Sequence, residues 1–264
     1  MKVVSWNIRK SKFNSLVWKV LSDISPDLIL LQEVIDIPIH FRKEYNIEFK
    51  QALTKRGFTQ KFGTAILVKG KIHSTLHLIS NHDWVNQELK SFTGNLIASV
   101  IQIENQEPIN VVSVYSPAWP VSAERLIGID VSDIKLKQNS KVWCTELLWS
   151  ALKNSSISIN SNWIIGGDFN SSETFDYMWK GGPSGNKEII DRMYSLGLTE
   201  CLKTFTGKLT PTFKNPKGGK VIHQIDHLYI SNSLYKNVRH CSTGDADIIF
   251  GNSLSDHLPI IVEF

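Results

Sequence analysis

Cysteine is scarce. The 264-residue chain has three, Cys144, Cys201 and Cys241, which are far apart, odd in number and in no CxxC. That argues against a disulfide framework and against a thiolate zinc site. Buried free thiols in a reducing compartment are expected. No cysteine lies in a motif, which disfavours cysteine nucleophilic catalysis. A glycine-rich phosphate loop of the P-loop kind is also missing. Uninterrupted apolar runs are short, so no transmembrane helix is expected. Met1-Lys2 leads straight into Val3-Val4-Ser5-Trp6 without the apolar core of a signal peptide, and a cytoplasmic location is expected. Charge bias is weak. Lys+Arg number 29 against 25 Asp+Glu, a formal net charge of +4. This permits an anionic partner but falls short of the footprint of a dedicated DNA-binding module.

Hydrophobic residues make up 42% of the chain and charged residues 20%, ordinary usage for a soluble globular protein. The length suits one domain over 1–264, with a large core. Strand-like and helix-like runs alternate. Strands are expected at Lys2 to Ile8, Asp27 to Val34, Tyr45 to Leu53, Thr64 to Val68, Leu96 to Ile103, Ile109 to Tyr115, Trp163 to Phe169, Val221 to Ile230 and Leu258 to Phe264. Asp-Leu-Ile-Leu-Leu at Asp27 to Leu31 is apolar without alternation, the pattern of a strand covered on both faces. Helical spacing marks Leu16 to Leu21, closed by Pro26, then Trp143 to Leu152, and Lys187 to Leu196, closed by Gly197. Ser116 to Asn139 reads as a long loop with room for a short helix, and Thr204 to Lys220 as a polar loop. The class is α/β or α+β, with two layers of sheet.

Polar residues recur where these strands end. Asn7 follows Val3-Val4-Ser5-Trp6, and Glu33 follows Leu28-Ile29-Leu30-Leu31-Gln32. A carboxylate at the end of a buried strand needs a cation or donor, although a lone Glu equally reads as emerging at the surface. Asn7 equally reads as a turn former. Gly166-Gly167-Asp168-Phe169-Asn170 is more specific: the glycines allow close approach, and Asp168 and Asn170 project alike if the strand continues. Asp226 lies inside an apolar strand and needs a partner. His257, in Ser255-Asp256-His257-Leu258-Pro259, is a natural one, because a carboxylate fixes an imidazole's tautomer. His227 reads as facing outward from that strand. Phosphodiester hydrolysis needs charge neutralisation at the phosphoryl oxygens, a deprotonated water and a stabilised leaving oxygen. A hard ion such as Mg²⁺ meets the first need with only one or two carboxylates to hold it.

These five pieces, each beside a strand and in this order, resemble the endonuclease/exonuclease/phosphatase superfamily. Its members include deoxyribonucleases, exonuclease-III-like abasic-site endonucleases, sphingomyelinases and inositol polyphosphate 5-phosphatases. The resemblance spans Trp6-Asn7 to Asp256-His257. Val114-Tyr115-Ser116-Pro117 is similar to the family's strand ending in Tyr-x-Pro. Phe62-Gly63-Thr64-Ala65-Ile66-Leu67 is similar to its Gly-x-Ala-Ile-Leu strand. The resemblance implies a four-layered α/β sandwich: two packed, mainly antiparallel sheets flanked by helices, with the site at one end. It implies Mg²⁺, with Mn²⁺ as substitute, held by Glu33 with Asn7 and Asp256. Asp168 would activate the water and Asn170 would hold it or a phosphate oxygen. His257, held by Asp226, would contact the scissile phosphate or act as the base. Tyr115 would position the phosphate or leaving group.

There are departures. Arg9 stands where several abasic-site nucleases carry a second acid. Gln224 replaces an Arg common before the Ile-Asp pair, and the bulky aromatic of the abasic-sugar pocket is missing there. The Arg- and Cys-rich 5-phosphatase signature is missing too. A Mg²⁺-dependent nuclease, on DNA before RNA, is the leading expectation, acting as a monomer. Arg9, Lys214 and Lys217 would hold phosphates and Trp119 would stack on a base. Two alternatives stand beside it. One is a hydrolase of a small phosphate ester, such as an inositol phosphate, nucleotide or phospholipid headgroup, with Trp119 and Arg125 closing over it. The other is a non-catalytic binding protein, disfavoured because every motif acid is intact.

Overall fold

A strand that is apolar on both sides needs cover on both sides, and Leu28-Ile29-Leu30-Leu31 receives it. In the structure, a computed structural model, all four are fully buried. The structure describes residues 1–104, 106–154, 161–178, 184–215, 218 and 220–264. The first sheet contains β1 (Lys2–Asn7), β2 (Leu28–Val34), β3 (Asn46–Leu53), β4 (Thr59–Val68), β13 (His240–Thr243) and β14 (Ile260–Glu263). Its order is β13-β14-β1-β2-β4-β3. The second contains β5 (Lys71–Thr75), β6 (Leu96–Gln102), β7 (Ile109–Tyr115), β8 (Asn162–Asp168), β9 (Leu198–Glu200) and β12 (Asp226–Ser231). Its order is β5-β6-β7-β8-β12-β9. A ribbon of β10 (Phe213–Lys214) and β11 (Val221–His223) stands apart from both.

The two sheets face each other. Val3, Leu28, Leu30 and Ile66 of the first share one buried cluster with Ile97, Val111, Ile164 and Leu228 of the second. Helices cover the outer faces. Val17, Trp18 and Leu21 of α1 (Leu16–Ile24), Phe41 of α2 (Ile39–Glu44) and Ile249 pack on the first sheet. Fully burying side chains of this kind stabilises the fold by roughly 1.5–3 kcal/mol each. The sequence starts α1 cleanly, because the Ser15 hydroxyl caps it by accepting from Val17 N. It ends at Ser25, in the left-handed conformation, just before Pro26. On the second sheet the cover comes from Leu148 and Leu152 of α4 (Cys144–Asn154) and Met193 of α6 (Asn186–Ser195). The result is the expected α/β sandwich.

Each sheet is antiparallel except for one central parallel pair: β1 with β2, and β7 with β8. Asn7 ends β1, Tyr115 ends β7 and Asp168 ends β8. Register then brings side chains level: Tyr115 opposite Asp168, and Asp168 opposite Asp226.

Two sequence expectations need correction. Val221 to Ile230 is two strands, because the chain turns at Gln224-Ile225. There Gln224 is drawn inward and Ile225 N donates to Thr212 Oγ1. Asp226 therefore opens β12 rather than sitting mid-strand. Thr204 to Lys220 includes the end of α7 (Cys201–Thr206) and β10. The Ser116 to Asn139 segment is the expected long loop with a short helix, a 3-10 turn at Ala123–Leu126, and its Val121 and Ile134 pack with Val85 of α3 (Asp83–Lys90) and Leu147 of α4. The three cysteines are free and buried, as expected.

Candidate active site

Glu33 owes its position to a defect in the sheet. The β2–β4 register shifts between Leu31 and Val34, and Glu33 takes a left-handed φ of 54°. Such a bulge re-aims the side chain out of the regular alternation. Its carboxylate stays 16% exposed, with Lys10 Nζ at 3.5 Å. Gly167 serves β8 differently. Its φ is 151°, and a Cβ there would lie 1.8 Å from the Val114 carbonyl oxygen. The glycine therefore lets two backbones, rather than a ligand, come close.

Asp168 is 2% exposed and is held from several sides. Asn7 Nδ2 donates to Oδ2 at 3.1 Å. Asn170, itself at φ 48°, donates its backbone N–H to Oδ1 at 2.9 Å. The Asn170 carboxamide donates to the Ser116 carbonyl at 2.6 Å. His257 Nδ1 donates to Asp226, with both carboxylate oxygens at 2.9–3.0 Å. Its Nε2 then points to Asp168 Oδ2 at 3.9 Å and Asp256 Oδ1 at 4.0 Å. The three ligand-type atoms of Asp168, Asp226 and His257 lie within 4.8 Å of one another. This is also the donor set of a divalent-metal site, although the Asp226 bond already occupies Nδ1.

Electrostatics follow from burial. Desolvation lifts the Asp168 carboxyl to about 7, against the pull of His257 and with the push of Asp226. Burial alone would lower His257; the Asp226 charge, then Asp168, outweigh it and raise the imidazole to about 10. Burial pushes the Tyr115 hydroxyl well up, and Glu33 and Asp168 add to this. Tyr115 is thus a neutral donor amid carboxylates.

Asn7, Glu33, Tyr115, Asp168, Asn170, Asp226, Asp256 and His257 therefore form one connected cluster. Arg9 joins it, with Nε 3.6 Å from Asp256 Oδ2. Lys214 is at the rim, sharing a cavity of about 210 Å³ with Arg9, Asp256 and Phe250. Trp119 is half-buried in the segment after β7. Lys217 lies outside the described residues. Arg125 is committed elsewhere, paired with Glu88 at 2.9 Å and donating to Ser91.

His227 corrects an expectation. It is 1% exposed, faces the helix side of the second sheet against Phe169, and places Nε2 3.0 Å from the Ser171 carbonyl.

Several supporting residues had no recognised role in the sequence. Thr212 Oγ1 accepts from Ile225 N and Asp226 N, both at 3.2 Å. Trp6 Nε1 donates to the His257 carbonyl at 2.8 Å. Ser255 Oγ donates to the Asn7 carbonyl at 2.7 Å and accepts from His257 N. Asn95 clamps the Tyr115 backbone. Trp6 and Ser255 lay within motifs and Thr212 lay close to Asp226, but only the fold shows what they hold.

The family model described as the endonuclease/exonuclease/phosphatase family matches residues 4–257. The chain belongs to the endonuclease/exonuclease/phosphatase family. Phosphoester hydrolysis is the chemistry of that family. Among solved structures of the same fold, an AP endonuclease from Archaeoglobus fulgidus is 17% identical, with TM-score 0.71, covering 100% of this chain and 99% of that one. The 3′ phosphatase NExo from Neisseria, bound to product DNA hairpin, is 18% identical, with TM-score 0.68 and the same coverage. The endonuclease domain of TRAS1, a telomere-specific non-LTR retrotransposon, is 18% identical, with TM-score 0.57, covering 100% and 97%. No curated protein matches the sequence. Among the described residues of this family member, no helix is long and apolar enough to cross a membrane.

Proposed function

We propose that the chain is a divalent-metal-dependent phosphodiesterase that cuts nucleic acid, DNA in preference to RNA, by in-line attack of water. The observation that carries this reading is the buried Asp168–His257–Asp226 chain beside the partly buried carboxylates of Glu33 and Asp256. So much oxygen ligand and negative charge in one place suits a hard cation. Glu33 and Asp256 would hold Mg²⁺, or Mn²⁺ in its place, with Asn7 contributing through the free lone pair of its carbonyl. The metal would neutralise charge on the phosphoryl oxygens.

The chain's own residues supply the rest. Asp168 takes the proton from water, since a carboxyl lifted to about 7 suits a general base near neutrality. Asn7 and Asn170 keep that carboxylate from turning. His257, kept protonated by the charges of its acidic neighbours, stabilises charge on the scissile phosphate, and Asp226 fixes its orientation. Tyr115 donates to the phosphate or leaving oxygen. Arg9 and Lys214 contact flanking phosphates. The likeness to the Neisseria 3′ phosphatase bound to a DNA hairpin and to the Archaeoglobus AP endonuclease supports DNA as the substrate class. The small-ester reading loses a ligand, because Arg125 is held by Glu88.

The test is incubation with supercoiled plasmid, an abasic oligonucleotide, RNA and a phosphate-ester panel, with Mg²⁺ or EDTA. DNA cleavage that EDTA stops, and that Glu33→Ala and His257→Ala lack, is the expected result. Turnover confined to small esters, or cleavage indifferent to EDTA, would overturn it.

A further inference from the structure

Lys10 is a cation at the mouth that no motif singled out. It follows β1 in a turn where Arg9 and Lys10 both adopt left-handed φ, 47° and 57°, a conformation that ordinarily favours glycine. Its backbone N–H donates to the Glu33 carbonyl at 2.9 Å. The root of the lysine is thus tied to the backbone of the very carboxylate it meets. Its Nζ lies 3.5 Å from Glu33 Oε2 and 4.5 Å from the Phe62 ring centroid, and that ring in turn meets Tyr115 edge-on. The ammonium is held over Glu33 by a backbone bond, an ion pair and an aromatic face.

Resting on the reading that Glu33 is a metal ligand, we propose that Lys10 is a tethered counter-cation that competes with the divalent ion for Glu33 and so sets a weak metal affinity. A carboxylate that already has an ammonium beside it attracts a second cation less. The lysine side chain is 50% exposed, so it has solvent to swing into when the metal arrives. An ion pair this exposed is weak enough to be displaced, and its loss appears only as a modest penalty on binding. The same turn places Arg9 on Asp256, so each mouth carboxylate carries one cation from a single tight turn.

The test is titration of the full chain with Mn²⁺, reading free Mn²⁺ by electron paramagnetic resonance, without substrate. Lys10→Gly suits the positive φ and removes the charge, and Lys10→Arg keeps the charge. Lys10→Gly should bind Mn²⁺ about fivefold tighter than wild type, the equivalent of one exposed ion pair. Lys10→Arg should stay within about twofold of wild type, because the charge persists. Glu33→Gln should weaken binding by about tenfold or more. A Lys10→Gly chain that binds no tighter, while Glu33→Gln binds weakly, overturns the competition and leaves Glu33 a ligand. Unchanged binding in Glu33→Gln removes Glu33 as a ligand, and the role of Lys10 with it.

Discussion

Asp226 and His227 are neighbours on β12, yet they belong to two different buried polar clusters. Asp226 shares its face with Leu228, between the sheets, and grips His257 at 2.9 Å. His227 shares the opposite face with Tyr229, under the helices. There Gln224 Nε2 donates to Glu200 Oε1 at 3.1 Å, with His227 Nδ1 at 3.7 Å from the same oxygen. Both clusters pair an imidazole with an acid in a dry setting. What separates them is an exit. His257 has a second nitrogen directed at Asp168 and Asp256, toward the mouth. His227 spends its second nitrogen on the Ser171 carbonyl. An acid–imidazole pair is therefore chemistry only where one ring nitrogen remains unspent; otherwise it is a brace.

The contrast breaks most sharply in activity. Asp168→Asn should lower kcat by about 10³-fold while the protein remains folded by circular dichroism, the loss typical of a general base. His227→Asn should leave kcat within about tenfold of wild type, because it touches no reacting group. If His227→Asn proves as inactive as Asp168→Asn, the two clusters are not functionally distinct. The pH–rate profile comes next. Activity should fall as pH drops below about 7, where Asp168 takes up its proton. Raising Mg²⁺ from sub-saturating to saturating should move that limb to lower pH, because a nearby positive charge favours the carboxylate. A limb that moves upward would contradict both assignments.

Stability separates the clusters in the other direction. His227→Asn should cost about 2 kcal/mol in denaturant unfolding, because it leaves the buried Ser171 carbonyl without its donor and removes the imidazole charge beside Glu200. The His227 pKa is raised from 6.5: burial opposes this, but Glu200 outweighs it. Its contribution is therefore fully present below pH 6.5 and declines as pH rises through the folded value. Wild type should lose that increment on going alkaline, and His227→Asn should not. The smallest effect is at the rim. Lys214→Ala should raise KM for DNA by about threefold and reduce the salt slope by about one, with kcat little changed.

Much of this was legible in the chain, for stated reasons. The unbroken apolar run at Leu28 to Leu31 forces a doubly covered strand, and polar residues directly after such runs mark sheet ends. Asn7, Glu33 and Asp168 stand out in this way, and Asp256 by preceding the last apolar run, Leu258 to Phe264. What pattern could not show was facing. His227 and Asp226 are adjacent letters, and only the turn at Gln224-Ile225 decides which of them faces the sheet interior. The short helices and strands were equally hidden: β9 has three residues and β10 two, too few for any period to emerge. Lys10 carries no signal in the sequence because its place beside Glu33 depends on a bulge 23 positions away.

The Trp6–His257 hydrogen bond joins residues 251 positions apart, and β14 pairs directly with β1. Closing that contact is among the most remote pairings the chain makes, and remote pairings form late. A growing polypeptide would therefore carry Glu33, then Asp168 and last Asp226, before the imidazole that completes them is made. If His257 has its proposed role, the hydrolase would stay inert until β14 slots in beside β1, and activity would arrive together with a finished sheet.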